Sequence, residues 1–95
     1  MRQVEARDNT IDKKLKRFKS DKPIIDGYFR ALENLKKVSD PTNIGERKHG
    51  KYRFCFAIHI TKSHSLIYLY IHKKDLVQLI DLDDHKTLFG RDNRT

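Results

Sequence analysis

The apolar spacing changes period once along this chain, and that change limits the folds open to it. From Ile11 to Leu35, apolar residues recur at intervals of three and four, the mark of helices that bury one stripe. From Lys51 to Leu82 they alternate with smaller or polar residues, the period of strands. Helices grouped on one side of an antiparallel sheet form an α+β layer architecture.

Met1 to Asn9 is polar and reads as a frayed end or a short edge strand. Thr10 is placed to cap a short helix whose stripe is Ile11, Leu15 and Phe18 and whose outer face is basic. Pro23 suits the first turn of a second helix. There Ile24, Tyr28, Ala31, Leu32 and Leu35 repeat, Ile25 and Phe29 widen the stripe, and the loop composition of "SDPTNIG" ends it near Val38. The two helices read as an antiparallel hairpin. After the cationic loop "GERKHGK", the segment "KYRFCFAIHI" predicts a strand. Tyr52, Phe54, Phe56 and Ile58 face the core in that reading; Lys51, Arg53, Cys55, Ala57 and His59 occupy an open face. "SLIYLYIH" and "LVQLIDL" follow as two more strands, the last alternating Leu76, Gln78, Ile80 and Leu82 with Val77, Leu79 and Asp81. The expected fold is α+β: a helical hairpin packed on one face of a small, mainly antiparallel β-sheet, in one domain over residues 1–95, with the other face free to hold a ligand.

Lysine and arginine number 21 against 13 acids, a net charge of +8, the footprint of a polyanion or acidic-protein binder. One cysteine excludes an intramolecular disulfide and a thiolate zinc knuckle. No apolar h-region follows Met1 and no run is long enough to span a bilayer, so a soluble, cytoplasmic protein with no membrane partner is expected.

The chain holds five histidines, the side chain best suited to proton transfer near neutral pH. His59 ends one predicted strand and His64 starts the next. The third strand runs antiparallel to the second and delivers His85 to the same end. Hairpin order alone therefore converges His59, His64 and His85, with Asp83 and Asp84 beside them; His72 belongs to the opposite end. His59, His64, His85 and Asp81 or Asp83 could supply metal ligands, but the spacing matches no helix-borne zinc motif; no metal and no cofactor are expected. Ser/His/Asp acyl transfer lacks its nucleophile elbow. Lys51 and Arg53 could neutralise a phosphate, and Tyr68 and Tyr70 could stack on RNA bases across an open sheet.

With "GKYR" (Gly50 to Arg53), "LIY" (Leu66 to Tyr68) and "DHKTLFG" (Asp84 to Gly90) in this order, the chain resembles the RelE/ParE superfamily of small toxins, and within it the YafQ-like messenger-RNA interferases. The resemblance implies the toxin of a type II toxin–antitoxin system, a ribosome-dependent endoribonuclease silenced by an acidic antitoxin, with ribosome and mRNA as further partners. The chemistry it implies is metal-free: a ribose 2′-OH attacks its own 3′ phosphate, a base and an acid move the protons, and cations hold the phosphorane charge. His85 matches the family's C-terminal catalytic histidine, and His59 matches a histidine at the end of the corresponding strand. Phe89 matches the aromatic that positions a base, and His49 falls in a loop that carries another family histidine. Ser63 and His64 stand where YafQ-like chains have an Asp-Trp pair, and His64 could replace the lost proton-transfer group. Asp81 stands where the family has an arginine; Arg53 or Lys51 could take over its charge, or Asp81 could orient a histidine. The implied catalytic set is His85, His59, His64 and Arg53, with Phe89, Lys51, His49, Tyr68 and Lys86 as RNA-binding residues. Other readings are a protein-binding ParE-type or degenerate toxin, or a small RNA-binding module.

Overall fold

A computed structural model describes residues 1–90; the last five residues of the expected domain lie outside the described residues. The elements are β1 (Gln3–Ala6), α1 (Thr10–Arg17), α2 (Lys22–Lys37), β2 (Glu46–Arg47), β3 (Phe56–His59), β4 (His64–Ile71), β5 (Leu76–Asp84) and α3 (His85–Phe89). The fold is α+β, with a five-stranded sheet in the order β1-β5-β4-β3-β2. β1 runs parallel to β5, and the other pairings are antiparallel.

Local chemistry sets the helix starts. The Asp21 carboxylate accepts the Ile24 N–H and caps α2 ahead of Pro23. Thr10 is not the cap of α1. The Asp8 carboxylate takes the Thr10 N–H at 2.9 Å, so Thr10 opens the helix itself and Asn9 precedes it. The stripes of the two helices (Ile11, Ile24, Tyr28, Ala31, Leu35) pack on Leu66, Tyr68, Val77, Leu79 and Leu82 of the sheet. Each leucine, isoleucine or valine among them, fully buried, contributes about 1.5–3 kcal/mol.

Gly27 lies where α2 crosses the β3–β4 turn. A Cβ there would collide with the carbonyl of Ile60. Alanine at an exposed helix interior usually gains about 1 kcal/mol over glycine. Here Gly27→Ala is expected to lose about 1–3 kcal/mol by overpacking, read as a lower denaturant midpoint; an unchanged or raised midpoint would refute the close approach.

The opposite face of the sheet is not bare. Tyr52, Cys55, Ala57, Ile67, Ile80 and Leu88 form a second small core there. This corrects the expected strand over residues 51–60. Gly50–Tyr52 makes one 3-10 turn, Phe54 adopts a left-handed φ of 73°, and strand pairing begins only at Phe56. The cause is the Tyr52 phenol, which needs a polar partner once its ring is buried. It turns onto the face opposite the helices and donates to Asp81 Oδ2 at 2.9 Å. Phe56 and Ile58 do pack on the helix side, but Phe54 remains 67% exposed. Lys51 and Arg53 accordingly sit on a turn, not on an open strand face.

β5 breaks its expected alternation as well. Ile67 pairs with Asp81 and Tyr68 with Leu79, which leaves Ile80 as an extra residue. Ile80 and Asp81 both oppose Ile67, the two-against-one count of a β-bulge. Val77, Leu79 and Leu82 therefore share the helix side, while Ile80, Asp81 and Asp83 lie on the other. β1 pairs with β5 only as far as Leu79. Beyond that point α1 flanks β5, and Lys14 reaches Asp81 and Asp83. Among the described residues no helix is long and apolar enough to cross a membrane.

Candidate functional site

Three strand ends build the site. His59 closes β3, and His85 is the first residue of α3, directly after β5. The register sets His59 opposite Ser65 and Ser65 opposite Asp83, so these three share the face away from the helices. α3 is held in place at its start: the Asp84 carboxylate accepts the Thr87 N–H at 2.7 Å, and the His85 N–H donates to the Ser63 carbonyl at 2.9 Å. The His59 and His85 rings meet edge to face with centroids 4.9 Å apart. His85 Nε2 lies 2.9 Å from Ser65 Oγ. Burial pulls the His85 pKa below its ordinary 6.5; His59, His64 and Lys48 push the same way, and only Asp84 opposes. His85 is thus a neutral imidazole near neutral pH, able to accept a proton.

His64 reaches the same end of the sheet but turns to the helix side. It packs edge-on against Phe18 at 5.6 Å, and its Nδ1 bonds the Thr61 hydroxyl at 2.9 Å. The expected trio is therefore a touching pair, His59 and His85, with His64 one residue out of phase. Strand alternation places neighbours His64 and Ser65 on opposite faces.

A groove of about 890 Å³ opens beside the pair, between α3 and the segment 46–52, lined by Arg47, Lys48, His49, Lys51, Tyr52 and Phe89 among others. The Phe89 ring lies 6.0 Å from His85 and 6.1 Å from Tyr52, and Lys48 Nζ sits 4.3 Å from its centroid. Lys51 lies over Tyr52 at 5.2 Å. The groove thus joins cations to aromatic faces, a combination suited to a nucleotide's phosphate and base. Lys86 is exposed on α3. Arg53 stacks over Phe54 at 5.7 Å and is outside the groove lining.

Tyr68 does not belong to any open surface. It is 0% exposed, stacks on Phe56, and donates its hydroxyl to the Pro41 carbonyl at 2.6 Å. A base has no face of it to stack on, so the expected RNA-binding role of Tyr68 is withdrawn. Lys48 is the residue that sequence reasoning passed over. Its only signal was membership of a cationic loop, and nothing in that loop distinguishes it from Arg47 or Lys51 until the path of the chain is known.

Asp81 touches no histidine. It accepts Lys14 Nζ at 2.9 Å and the Tyr52 hydroxyl, while fully buried Asp83 accepts Lys14 at 2.7 Å and Arg17 at 3.2 Å. Burial pushes the Asp81 carboxyl up, but the bonds from Lys14, the Leu82 N–H and Tyr52 outweigh it and leave it below the usual carboxylate range. Asp81 is thus part of the scaffold, clasping α1 and the Tyr52 turn to β5. Among the described residues, no three His, Cys, Asp or Glu side chains gather to hold a metal ion.

No protein-family model matches the sequence, and no curated protein matches it. Solved structures do. A metal-bound toxin from Helicobacter pylori superposes with a TM-score of 0.72 at 19% identity, over 94% of this chain and 100% of that one. YafQ from E. coli gives 0.66 at 16% identity, over 95% and 100%. The YoeB–YefM complex from Staphylococcus aureus gives 0.67 at 14% identity, over 90% and 98%. Toxins and toxin–antitoxin complexes are thus among the solved structures that this chain resembles, and it has their α+β fold.

Proposed function

We propose that this chain is the single-domain toxin of a type II toxin–antitoxin system and a metal-independent endoribonuclease that cuts mRNA on the ribosome. The observation that carries the reading is the His59–His85 contact beside a cationic, aromatic groove, with burial favouring the neutral form of His85. Neutral His85 takes the proton of the ribose 2′-OH. The 2′ oxygen forms its bond to the adjacent phosphorus as the bond from phosphorus to the 5′ oxygen breaks. His59 donates a proton to that leaving oxygen. The products are a 2′,3′-cyclic phosphate and a 5′-hydroxyl. Lys48 and Lys51 offset the charge of the phosphorane, a task that Asp81 cannot perform. Phe89 offers a face for the neighbouring base. The net charge of +8 suits both an acidic antitoxin and the RNA backbone of the ribosome.

The test is to induce the chain in cells and map mRNA ends. Growth arrest with messages cut within translated regions supports the proposal. Arrest with intact messages and damaged DNA supports a protein-binding ParE-type toxin instead, the reading that Asp81 at the arginine position favours.

The pH dependence has a definite sign. Protonating His85 removes the base, so the cleavage rate falls on acidification, and this limb lies below pH 6.5 because the folded pKa lies below 6.5. The unfolded chain protonates first. Between 6.5 and the lower folded value, it binds more protons than the folded chain, so His85's contribution to stability declines as pH falls through that window. Rate–pH profiles and urea midpoints across the same range check both; an acid limb above 6.5 contradicts the base assignment.

A further inference from the structure

We infer that Ser65 is a positioning residue for His85: its hydroxyl engages Nε2 and leaves Nδ1 as the nitrogen that exchanges the proton. The inference rests on the nuclease reading for its catalytic consequence, though not for its geometry.

Ser65 Oγ and His85 Nε2 are 2.9 Å apart. A serine beside a histidine invites comparison with a nucleophile and its base, but Ser65 is only 1% exposed. It lies in β4 between His59 on β3 and Asp83 on β5, beneath the His85 ring, where a substrate does not reach. Its hydroxyl can therefore act only on His85 and not on RNA. The nitrogen it holds thus faces a buried hydroxyl. No hydrogen bond among the described residues involves Nδ1, on the other side of the ring.

The two ring nitrogens are not equivalent, because the bond made by one sets the state of the other. When Nδ1 accepts a proton, the resulting imidazolium must carry a proton on Nε2 as well. Ser65 Oγ can accept the hydrogen bond from that Nε2–H. The base-competent neutral form is therefore the one with its proton already on Nε2, pointing at Ser65, and a lone pair on Nδ1. The same bond sets the ring's rotation, and the capped start of α3 sets the position of its Cα. The charged and titratable groups around the ring are His59 from β3, His64 from β4, Lys48 from the loop ahead of β3, and Asp84 from its own chain. Ser65 carries no charge, so removing it alters the tautomer and the orientation without altering this electrostatic surround.

The experiment compares wild type, Ser65→Ala and Ser65→Thr in the full chain by two measurements. The first is the nitrogen-15 spectrum of the His85 imidazole at a pH above its titration. Wild type and Ser65→Thr are expected to show one tautomer, protonated on Nε2; Ser65→Ala is expected to show a mixture. The second is single-turnover cleavage of ribosome-bound mRNA. Ser65→Ala is expected to be slower by roughly ten- to a hundredfold, with substrate affinity unchanged, and Ser65→Thr to recover most of the rate. A wild-type proton on Nδ1, or a tautomer unmoved in Ser65→Ala, overturns the inference. So does a full cleavage rate in Ser65→Ala. If wild type itself cleaves nothing, the nuclease reading fails, and the spectrum still decides the geometry. Should Ser65→Ala not fold, Ser65→Cys keeps the volume with a much weaker bonding partner and carries the same two measurements.

Discussion

His85→Ala is expected to lower the mRNA cleavage rate by about 10²–10⁴-fold and to abolish growth arrest on induction, while the protein stays folded. Rate and stability separate at this position for a structural reason. What anchors α3 is the backbone N–H of His85 on Ser63 and the Asp84 side chain on the Thr87 N–H, and alanine keeps both. Leu88, the apolar residue of α3 that enters the second core, is also untouched. His59→Ala is expected to act in the same direction, because the two rings are in contact and the proposed mechanism gives them opposite ends of one reaction. If the two histidines act as a unit, the double variant loses little more than either single one. Message-end mapping and single-turnover rates, beside thermal melts of each variant, give the answer. A His85→Ala protein that cuts at the wild-type rate would sink the mechanism, whatever the fold resemblance.

Asp83→Ala is expected to be the most destabilising single change at a charged position, by about 3–5 kcal/mol. Its carboxylate is fully buried and takes charge-assisted bonds from Lys14 and Arg17 of α1, while its other oxygen accepts the Asp84 N–H at 2.8 Å. Removing it leaves the half-buried Lys14 ammonium with Asp81 alone. Desolvation lowers the Lys14 pKa, and the bonds to Asp83 and Asp81 more than restore it, so the pairing matters in both directions. A second change, Lys14→Met, should cost less in the Asp83→Ala background than in the wild type, because only the pair with Asp81 is then left to break. Equilibrium urea unfolding of the two single variants and the double measures this directly. Losses that simply add would show that Asp83 and Lys14 are not coupled.

The architecture was legible wherever one period ran undisturbed. α2 follows its stripe from Ile24 to Leu35 and stops at the loop composition after it. The meeting of His59 and His85 follows from hairpin order, because strand direction needs no side-chain detail. Legibility failed where a polar demand overrode the pattern. "KYRFCF" alternates like a strand, yet the Tyr52 hydroxyl required Asp81, a residue distant in sequence. The placement of His64 was lost because its end of the sheet was inferred and its face was not. Tyr68 looked like a stacking platform because alternation assigns a face without saying what covers it. The helices cover that face, and Gly45 lets the Tyr68 hydroxyl end pass close by. Lys48 could not be singled out, since the path of a loop is set by contacts that no local spacing encodes.

The extra residue at Ile80 reverses the parity of everything after it. Upstream, Val77 and Leu79 count as inward positions; downstream, Leu82 is inward and Asp81 and Asp83 are outward. A regular ladder that kept every residue between Leu79 and Leu82 would invert the end of β5. The aspartates would then enter the helix-side core, and His85 would leave α3 pointing away from His59. A chain one residue shorter here would keep both faces without a bulge, whereas this chain, with Ile80 present, needs the bulge to bring His85 to the face of His59.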